Sequence, residues 1–163
     1  MTVTLNVWHG TNEHAWLSNL ARREFQDKNG RLYCSVEHAY QSWKSGSFDQ
    51  VTYSKPWRDG SKFVGRRART VDNWNIKLMG RLILRSLSQN VRFRESLQDL
   101  PHDVEFSHTQ DRGIWKEEFP RLLRIAKLTA DAQKYLGNPC ICERCQAEHY
   151  GGNYFLCPDC EHA

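Results

Sequence analysis

The feature that most restricts the fold of this chain is a pair of Cys-x-x-Cys motifs near its C-terminus. Cys142 and Cys145 form the first motif, and Cys157 and Cys160 form the second after eleven intervening residues. Each motif can place two thiolates on one tetrahedral Zn²⁺, and the glycines between the motifs suit the tip of a hairpin. The sequence therefore predicts a structural zinc ribbon, because a closed four-cysteine site leaves no open position for a substrate.

The cysteine-rich tail is predicted to be a unit of its own. Composition becomes loop-rich after Gly137, so we expect a main domain over 1–137 and the ribbon over 138–163. A segment this short cannot bury a core of its own, so bound metal would supply its folding free energy. A redox pair, or a disulfide in an oxidising compartment, is the alternative. Three further residues could act as reserve ligands: Cys140, His149 and His162.

The N-terminus predicts a cytoplasmic protein. The stretch "MTVTLNVWHG" has neither a basic segment nor a long apolar run, so we expect no signal peptide, no transmembrane span and no membrane partner. The cysteines are then expected to be reduced or metal-bound. The chain is long enough to bury one core, and its 39% hydrophobic content is that of a globular protein.

The sequence predicts a mainly α fold with a small β hairpin or sheet, of the α+β class, followed by the ribbon. A loosely alternating run over 3–10 predicts a short strand. Asn29-Gly30, between two β-like runs, favours a hairpin with a type I′ turn. A strand-like piece and a loop are expected again over 102–115.

Four helices are predicted from apolar periodicity and from their end signals. The expected helices run from the cap Ser35 to Gly46, from Asn73 to Asn90, from Arg92 to the residue before Pro101, and from Pro120 to Gly137. Serine is a good N-cap, proline suits a first helical turn, and glycine suits the residue past a helix end.

Positive charge is concentrated in one part of the chain. Residues 55–94 hold eleven Lys and Arg against two acids, Asp59 and Asp72, although the formal charge of the whole chain is only +4. Such a block suits a partner that carries phosphate, either a nucleic acid or a phosphorylated small molecule. A solvated helix face is the alternative interpretation. The ribbon itself is acidic, which argues against a phosphate-binding role for the tail.

The helix "SVEHAYQSWKSG" carries polar residues that a plain core helix does not need. Glu37, Tyr40, Gln41 and Lys44 follow i, i+3, i+4, i+7 spacing and share one face. Glu37 lies in the first turn, where the positive end of the helix dipole stabilises a carboxylate. Two roles stay open for it: a structural ion pair across that face, or stabilisation of positive charge on a substrate together with direction of a water molecule.

Two other segments supply residues that are typical of functional sites. A loop before the last helix carries a carboxylate, an imidazole and an aromatic ring in His108, Asp111 and Trp115. Near the N-terminus, "WLSNL" adds Ser18 and Asn19.

Together these three segments resemble the NADAR family of YbiA-like proteins. The motif is an "SN" segment, then a hairpin leading to a helix of the form EH-x-(Y/F)Q-x-x-K, here Glu37 to Lys44. The resemblance extends to a basic stretch, to Asn73-Trp74 before a long helix that contains Met79, and to the loop that ends at Trp115. It covers roughly residues 5–128.

The resemblance implies an N-glycosidase that cleaves the bond between ribose C1 and a nitrogen. The implied substrate is a phosphorylated ribosyl intermediate or ADP-ribosylated guanine in DNA or RNA. Glu37 and Asp111 are the implied catalytic residues, because the reaction passes through an oxocarbenium-like sugar that a carboxylate can stabilise. The implied substrate-binding residues are Asn19, Tyr40, Lys44, Trp74, His108 and Trp115. No catalytic cofactor is implied.

The sequence departs from the family after Trp115. The family continues with a glycine-containing segment, whereas this chain has "KEEFPRLLRIAK", so the pocket wall there is expected to differ. Two other functions therefore stay open. One is a non-catalytic module that binds ADP-ribose or nucleic acid. The other is an interaction module whose ribbon recruits an unidentified protein partner.

Overall fold

The fold is described from a computed structural model that places most of the main domain. The described residues are 2–7, 13–46, 76–136, 140–141 and 148–149. Trp74, Cys142, Cys145, Cys157 and Cys160 lie outside these ranges, as does the part of the basic block over 55–75.

Two short strands pair in parallel although they lie a hundred residues apart in the chain. Strand β1 (Thr4–Asn6) pairs with β4 (Glu105–Ser107), with Leu5 opposite Phe106. A further backbone bond, from Val7 N to Ser107 O at 2.8 Å, extends the pairing by one residue. The strands predicted over 3–10 and after residue 102 are therefore confirmed, and their pairing brings the two segments side by side.

The predicted hairpin is present, but its turn differs from the expected type. Strands β2 (Phe25–Gln26) and β3 (Leu32–Tyr33) are antiparallel. Asp27 N donates to Arg31 O at 3.0 Å, and Gly30 N donates to Asp27 O at 3.1 Å, with Gly30 at φ 75°. This is a three-residue loop with a left-handed glycine rather than a two-residue type I′ turn. The Asp27 carboxylate explains the choice, because it accepts from the backbone N–H of Asn29 at 2.8 Å.

Four helices build the main body. They are α1 (Val36–Ser45), α2 (Ile76–Gln89), α3 (Val91–Gln98) and α4 (Trp115–Leu136). The predicted ends of α1 are confirmed: Ser35 Oγ accepts from His38 N at 3.1 Å, and Gly46 adopts φ 67° past the last turn. Helix α4 begins at Trp115, earlier than the predicted start at Pro120. Pro120 therefore lies inside the helix, where it cannot donate a bond to the carbonyl four residues earlier.

Helix α1 is enclosed by the rest of the chain. Every residue from Tyr33 to Ser42 is buried, polar ones included. Its apolar residues belong to one core cluster that also contains residues of α2 and α4: Met79, Leu82, Ile83 and Leu87, and Phe119, Leu122, Leu123, Ala126 and Ala130. Helices α2 and α4 approach closely at Gly80, where an added Cβ would lie 3.1 Å from Leu122 Cδ2. Since buried polar groups need partners, the polar residues of α1 must be bonded inside the fold.

Two more strands occur in the tail. Strands β5 (Cys140–Ile141) and β6 (Glu148–His149) are antiparallel, with Cys140 opposite His149. They flank the part of the chain that contains the first Cys-x-x-Cys motif. In the described ranges, no helix is both long and apolar enough to cross a lipid bilayer.

Candidate active site on the first helix

The centre of the candidate site is the carboxylate of Glu37, held by two side-chain amides. Asn19 Nδ2 donates to Oε2 at 2.5 Å, and Gln41 Nε2 donates to Oε1 at 2.5 Å. Glu37 is only 4% exposed. Hydrogen bonds to an ionised group are stronger than those between neutral groups, so the two amides hold the carboxylate in a fixed orientation.

The local sequence explains why these three side chains meet. Glu37 and Gln41 are four residues apart on α1, which places them one above the other on the same face. Asn19 comes from the loop before the hairpin, and its backbone O accepts from Glu37 N at 2.9 Å. That bond satisfies one of the free N–H groups at the start of α1 and fixes the loop against the helix.

Arg23 holds the loop that carries Asn19. Its guanidinium donates to Trp16 O, and to Ser18 O at 3.0 Å. It also lies 3.9 Å from the centre of the Phe93 ring, a cation–π contact with α3. Burial lowers the pKa of Arg23 to about 9, which still leaves it charged at neutral pH. A cation with this many partners fixes both ends of the short turn before Asn19.

An aromatic pair adjoins the carboxylate. The rings of Tyr40 on α1 and Trp115 at the start of α4 meet edge to face, with centroids 5.6 Å apart. Tyr40 is 3% exposed, and Trp115 is half-buried. Burial raises the pKa of Tyr40 to about 12, and the negative charge of Glu37 adds to this increase. The aromatic pair thus joins the Glu37 face of α1 to the first turn of α4.

The loop before α4 brings His108 and Asp111 together. His108 Nδ1 lies 3.8 Å from Asp111 Oδ2, and the imidazole packs edge-on against Phe119 of α4 at 5.8 Å. Asn6 at the end of β1 anchors this loop: its amide donates to Thr109 Oγ1 at 2.9 Å and to Gln110 Oε1 at 3.1 Å. The β1–β4 pairing therefore positions the loop whose residues the sequence predicts to belong to a functional site.

Six of the predicted site residues form three contacting pairs in the structure. Asn19 contacts Glu37, Tyr40 contacts Trp115, and His108 contacts Asp111. Glu37 and Asp111 share no hydrogen bond or ion pair within the described part of the chain. Lys44 lies half-buried in the last turn of α1. The predicted residue Trp74 lies outside the described residues.

Two residues of the site were not predicted from sequence. Gln41 was noted on the Glu37 face but not assigned to the site, although its i+4 spacing was a signal for the bond. Its Oε1 is buried and accepts no hydrogen bond from the described residues. No sequence pattern predicts the role of Arg23, because its partners are backbone carbonyls and an aromatic ring from a distant helix.

A surface groove of about 440 Å³ lies elsewhere, between the N-terminus, β4 and α4. It is lined by Thr2, Asp103, Val104, Glu105, Phe106, Pro120, Arg121 and Arg124. Its arginines are engaged: Arg121 pairs with Glu118, and Arg124 donates to His102 O at 2.6 Å. None of the predicted site residues lines it.

Metal binding inside the main domain finds no support in the geometry. Among the described residues, no group of three or more His, Cys, Asp or Glu side chains could hold a metal ion. The four predicted zinc ligands lie outside those residues.

The fold is similar to that of a solved bacterial protein. The chain superimposes on the NMR structure of the Escherichia coli protein YbiA with a TM-score of 0.58 and 18% sequence identity. The match covers 83% of this chain and 87% of the YbiA chain. No protein-family model matches the sequence, and no curated protein does. The likeness supports the predicted mixed, mostly helical YbiA-like fold, and at this identity it shows the fold alone.

Proposed function

We propose that the protein is an N-glycosidase that hydrolyses a ribose C1–N bond. The substrate is a phosphorylated, nucleotide-like compound or an ADP-ribosyl adduct, such as ADP-ribosylated guanine in DNA or RNA. In this reaction the C1–N bond breaks, water adds to C1, and the leaving nitrogen takes up a proton. Support comes from the motif resemblance, from the YbiA-like fold and, above all, from the bonding of Glu37.

The observation that carries the proposal is a buried carboxylate held by neutral amides. Among the described residues, Glu37 bonds Asn19 and Gln41 and pairs with no cation. A negative charge without a counter-ion, in a site that excludes water, is suited to stabilise positive charge that develops on a sugar. The unpartnered Gln41 Oε1 beside it is a buried acceptor that a substrate hydroxyl or a water molecule can satisfy.

The other residues have supporting roles in this proposal. Trp115 provides an aromatic surface for the base or the sugar, and the buried Tyr40 packs against it on the Glu37 face of α1. Asp111, oriented next to His108, binds ribose hydroxyls or assists the attacking water. Lys44 and Trp74 are further substrate contacts, which the motif resemblance supports.

For the tail we propose a structural zinc ion bound by Cys142, Cys145, Cys157 and Cys160. The pairing of β5 with β6 supports this, because it is a hairpin around the first Cys-x-x-Cys motif. Elemental analysis of the purified protein should find about one zinc per chain. Replacing Cys142 and Cys145 with Ser should abolish zinc binding, whereas Cys34→Ser in the main domain should not. Zinc retained after the double replacement would contradict the assignment.

A non-catalytic module that binds ADP-ribose or nucleic acid is the second candidate. The burial of Glu37 favours it, since a carboxylate that is 4% exposed and bonded on both oxygens can serve the fold alone. The glycosidase and the binding module can be distinguished by removing the charge at position 37 and measuring turnover and ligand binding separately.

The test is a glycosidase panel that compares Glu37→Gln with the double exchange Glu37→Gln/Gln41→Glu. In the exchange, the new amide at position 37 accepts from Asn19 and donates to the new carboxylate at position 41. The hydrogen bonds are therefore kept while the charge moves one helical turn. Candidate substrates are ADP-ribosylated DNA, ADP-ribose, NAD and a phosphorylated ribosylamino compound. Glu117→Gln, on the exposed surface of α4, is the matched control.

The glycosidase proposal predicts release of base by the wild type and by Glu117→Gln, and a loss of about 10²–10⁴-fold in both position-37 variants. Recovery of turnover in the double exchange would show that Glu37 has a structural role and not a catalytic one. Ligand binding by all variants, without release from any substrate, would favour the binding module.

A further inference from the structure

The exposed face of α2 carries a row of three cations. Lys77, Arg81 and Arg85 follow one another at four-residue spacing and lie on one side of the helix. Lys77 and Arg81 are exposed, and Arg85 is partly exposed. We call these three residues the α2 stripe. Helix α2 contains no Asp or Glu over its fourteen residues.

The ion pairs of the described residues leave the stripe unneutralised. The cations that do form pairs with carboxylates are Arg22, Arg121 and Lys127. No stripe residue takes part in an ion pair in the described ranges. A solvated helix face usually alternates charge along its length, whereas this one has a single sign.

The acids of the hairpin that docks on α2 are already engaged. The hairpin docks on the C-terminal half of α2, where Arg85 Nε donates to Gln26 O at 2.6 Å and Gln89 Nε2 donates to the same oxygen at 2.9 Å. In that hairpin segment Glu24 pairs with Arg22, and the buried Asp27 accepts from Tyr33. On α3, Glu95 follows Arg92, an exposed cation that lies beyond the end of the stripe.

We propose that the α2 stripe binds the phosphate backbone of a nucleic acid. Its three cations extend over about 12 Å along the helix, with about 6 Å between neighbours. This is an extended row that contacts successive phosphates, whereas the one or two phosphates of a small nucleotide need a concave cluster. Lys77 and Arg81 are exposed and form no ion pair within the described ranges, so they can exchange counter-ions for phosphates without first breaking one. If the glycosidase proposal holds, the stripe identifies nucleic acid as the carrier of the scissile ribosyl group.

The test is binding of an unmodified, fluorescein-labelled single-stranded oligonucleotide and of its duplex, measured by anisotropy over a series of salt concentrations. Because this experiment needs no cleavage, it stays informative if the glycosidase proposal fails. The test variant is Lys77→Gln/Arg81→Gln. The matched control is Arg121→Gln/Lys134→Gln, which removes two exposed cations from α4 and so lowers the net charge by the same amount.

We expect the test variant to bind about tenfold more weakly at 0.1 M salt, and the control to stay within about twofold of the wild type. The slope of log K against log salt should become flatter by about 1.4 for the single strand and about 1.8 for the duplex. Equal losses in both variants would show an effect of net charge only and would overturn the proposal. So would a wild type that does not bind, or a test variant that loses binding of free ADP-ribose but not of the oligonucleotide.

Discussion

Two buried charges in this protein are held in opposite ways. On α1, Glu37 is bonded by the neutral amides of Asn19 and Gln41. On α4, Lys127 is 1% exposed and donates to Asp131 at 2.5 Å, and Asp131 in turn lies 3.2 Å from His102 on the surface. Both charges are satisfied in hydrogen bonding, but only the second is neutralised.

The difference separates a charge that can act on a ligand from one that serves the fold. The Lys127–Asp131 pair has only a weak electrostatic effect on other groups, because its two opposite charges are in contact and largely cancel. The charge of the Glu37 carboxylate still acts on its surroundings: burial is the main cause of the raised pKa of Tyr40, and the charge of Glu37 adds to it. A buried charge without a counter-ion is costly to the fold. It is therefore where a functional reason is to be sought first.

The largest expected effect comes from removing the counter-ion on α4. Asp131→Asn leaves the Lys127 ammonium buried without its carboxylate and should lower the free energy of unfolding by about 3–5 kcal/mol. Urea denaturation followed by circular dichroism measures it. The double variant Lys127→Met/Asp131→Asn removes the stranded cation and should recover most of the loss. The exposed Asp103→Asn should change stability by about 0.5 kcal/mol at most. A mild Asp131→Asn phenotype would mean that the pair is not needed to keep Lys127 buried.

A smaller loss of stability is expected for Glu37→Gln. The new amide presents an N–H₂ group to the N–H₂ of either Asn19 or Gln41, and this should cost about 1–3 kcal/mol. Glu37→Gln/Gln41→Glu should regain most of that stability in the same urea titration. A double exchange that is less stable than the single variant would contradict the described bonding.

Loss of the cap of α1 should have a milder effect. Ser35 Oγ accepts from His38 N, so Ser35→Ala should lower the free energy of unfolding by about 1 kcal/mol. Ser88→Ala on α2 is a suitable control, because that hydroxyl only donates to Arg85 O within its own helix. Equal effects of the two replacements in thermal melts would argue against the cap.

The smallest effect concerns the ionisation of Tyr40. Its pKa rises from 10.0 to about 12, chiefly through burial and to a lesser degree through the charge of Glu37. Glu37→Gln should therefore lower the pKa of Tyr40 by less than about one unit, as measured by ultraviolet difference titration against Tyr40→Phe. Tyr33, also at about 12 through burial and Asp27, should not respond. A shift shared by both tyrosines would indicate a general loosening of the fold.

The same pKa values give the sign of the alkaline response. Tyr40 and Tyr33 bind protons more tightly in the folded than in the unfolded state. Stability should consequently fall as pH rises from about 10 towards about 12.

The elements that depend on local sequence were predictable, and those that depend on distant contacts were not. The ends of α1 follow from Ser35 and Gly46, because capping involves only neighbouring residues. The hairpin was predicted, but its turn was not, since the Asp27 carboxylate decides the turn by bonding backbone N–H groups. The start of α4 at Trp115 does not follow from the local sequence, because Pro120 favours a first helical turn at its own position.

The same limit applies to the candidate site. The i+4 spacing of Glu37 and Gln41 was visible in the sequence, and the motif drew attention to Asn19. Arg23 and Phe93 are in contact although they lie seventy positions apart, so no periodic pattern in the sequence predicts this contact. The sequence also does not show that Glu37 bonds an amide whereas Lys127 bonds a carboxylate. Both bonds depend on which side chains meet in the packed core.

The most direct test of the central claim measures the preference of the site for positive charge. Iminoribitol 5-phosphate carries a ring ammonium at neutral pH, whereas ribose 5-phosphate is the uncharged-ring counterpart. If Glu37 stabilises a developing oxocarbenium ion, calorimetry should show that the wild type binds the cationic ligand about 10²-fold more tightly or better. The double variant Glu37→Gln/Gln41→Glu should lose most of that preference. Equal affinities in the wild type, or a preference that survives the exchange, would contradict the account.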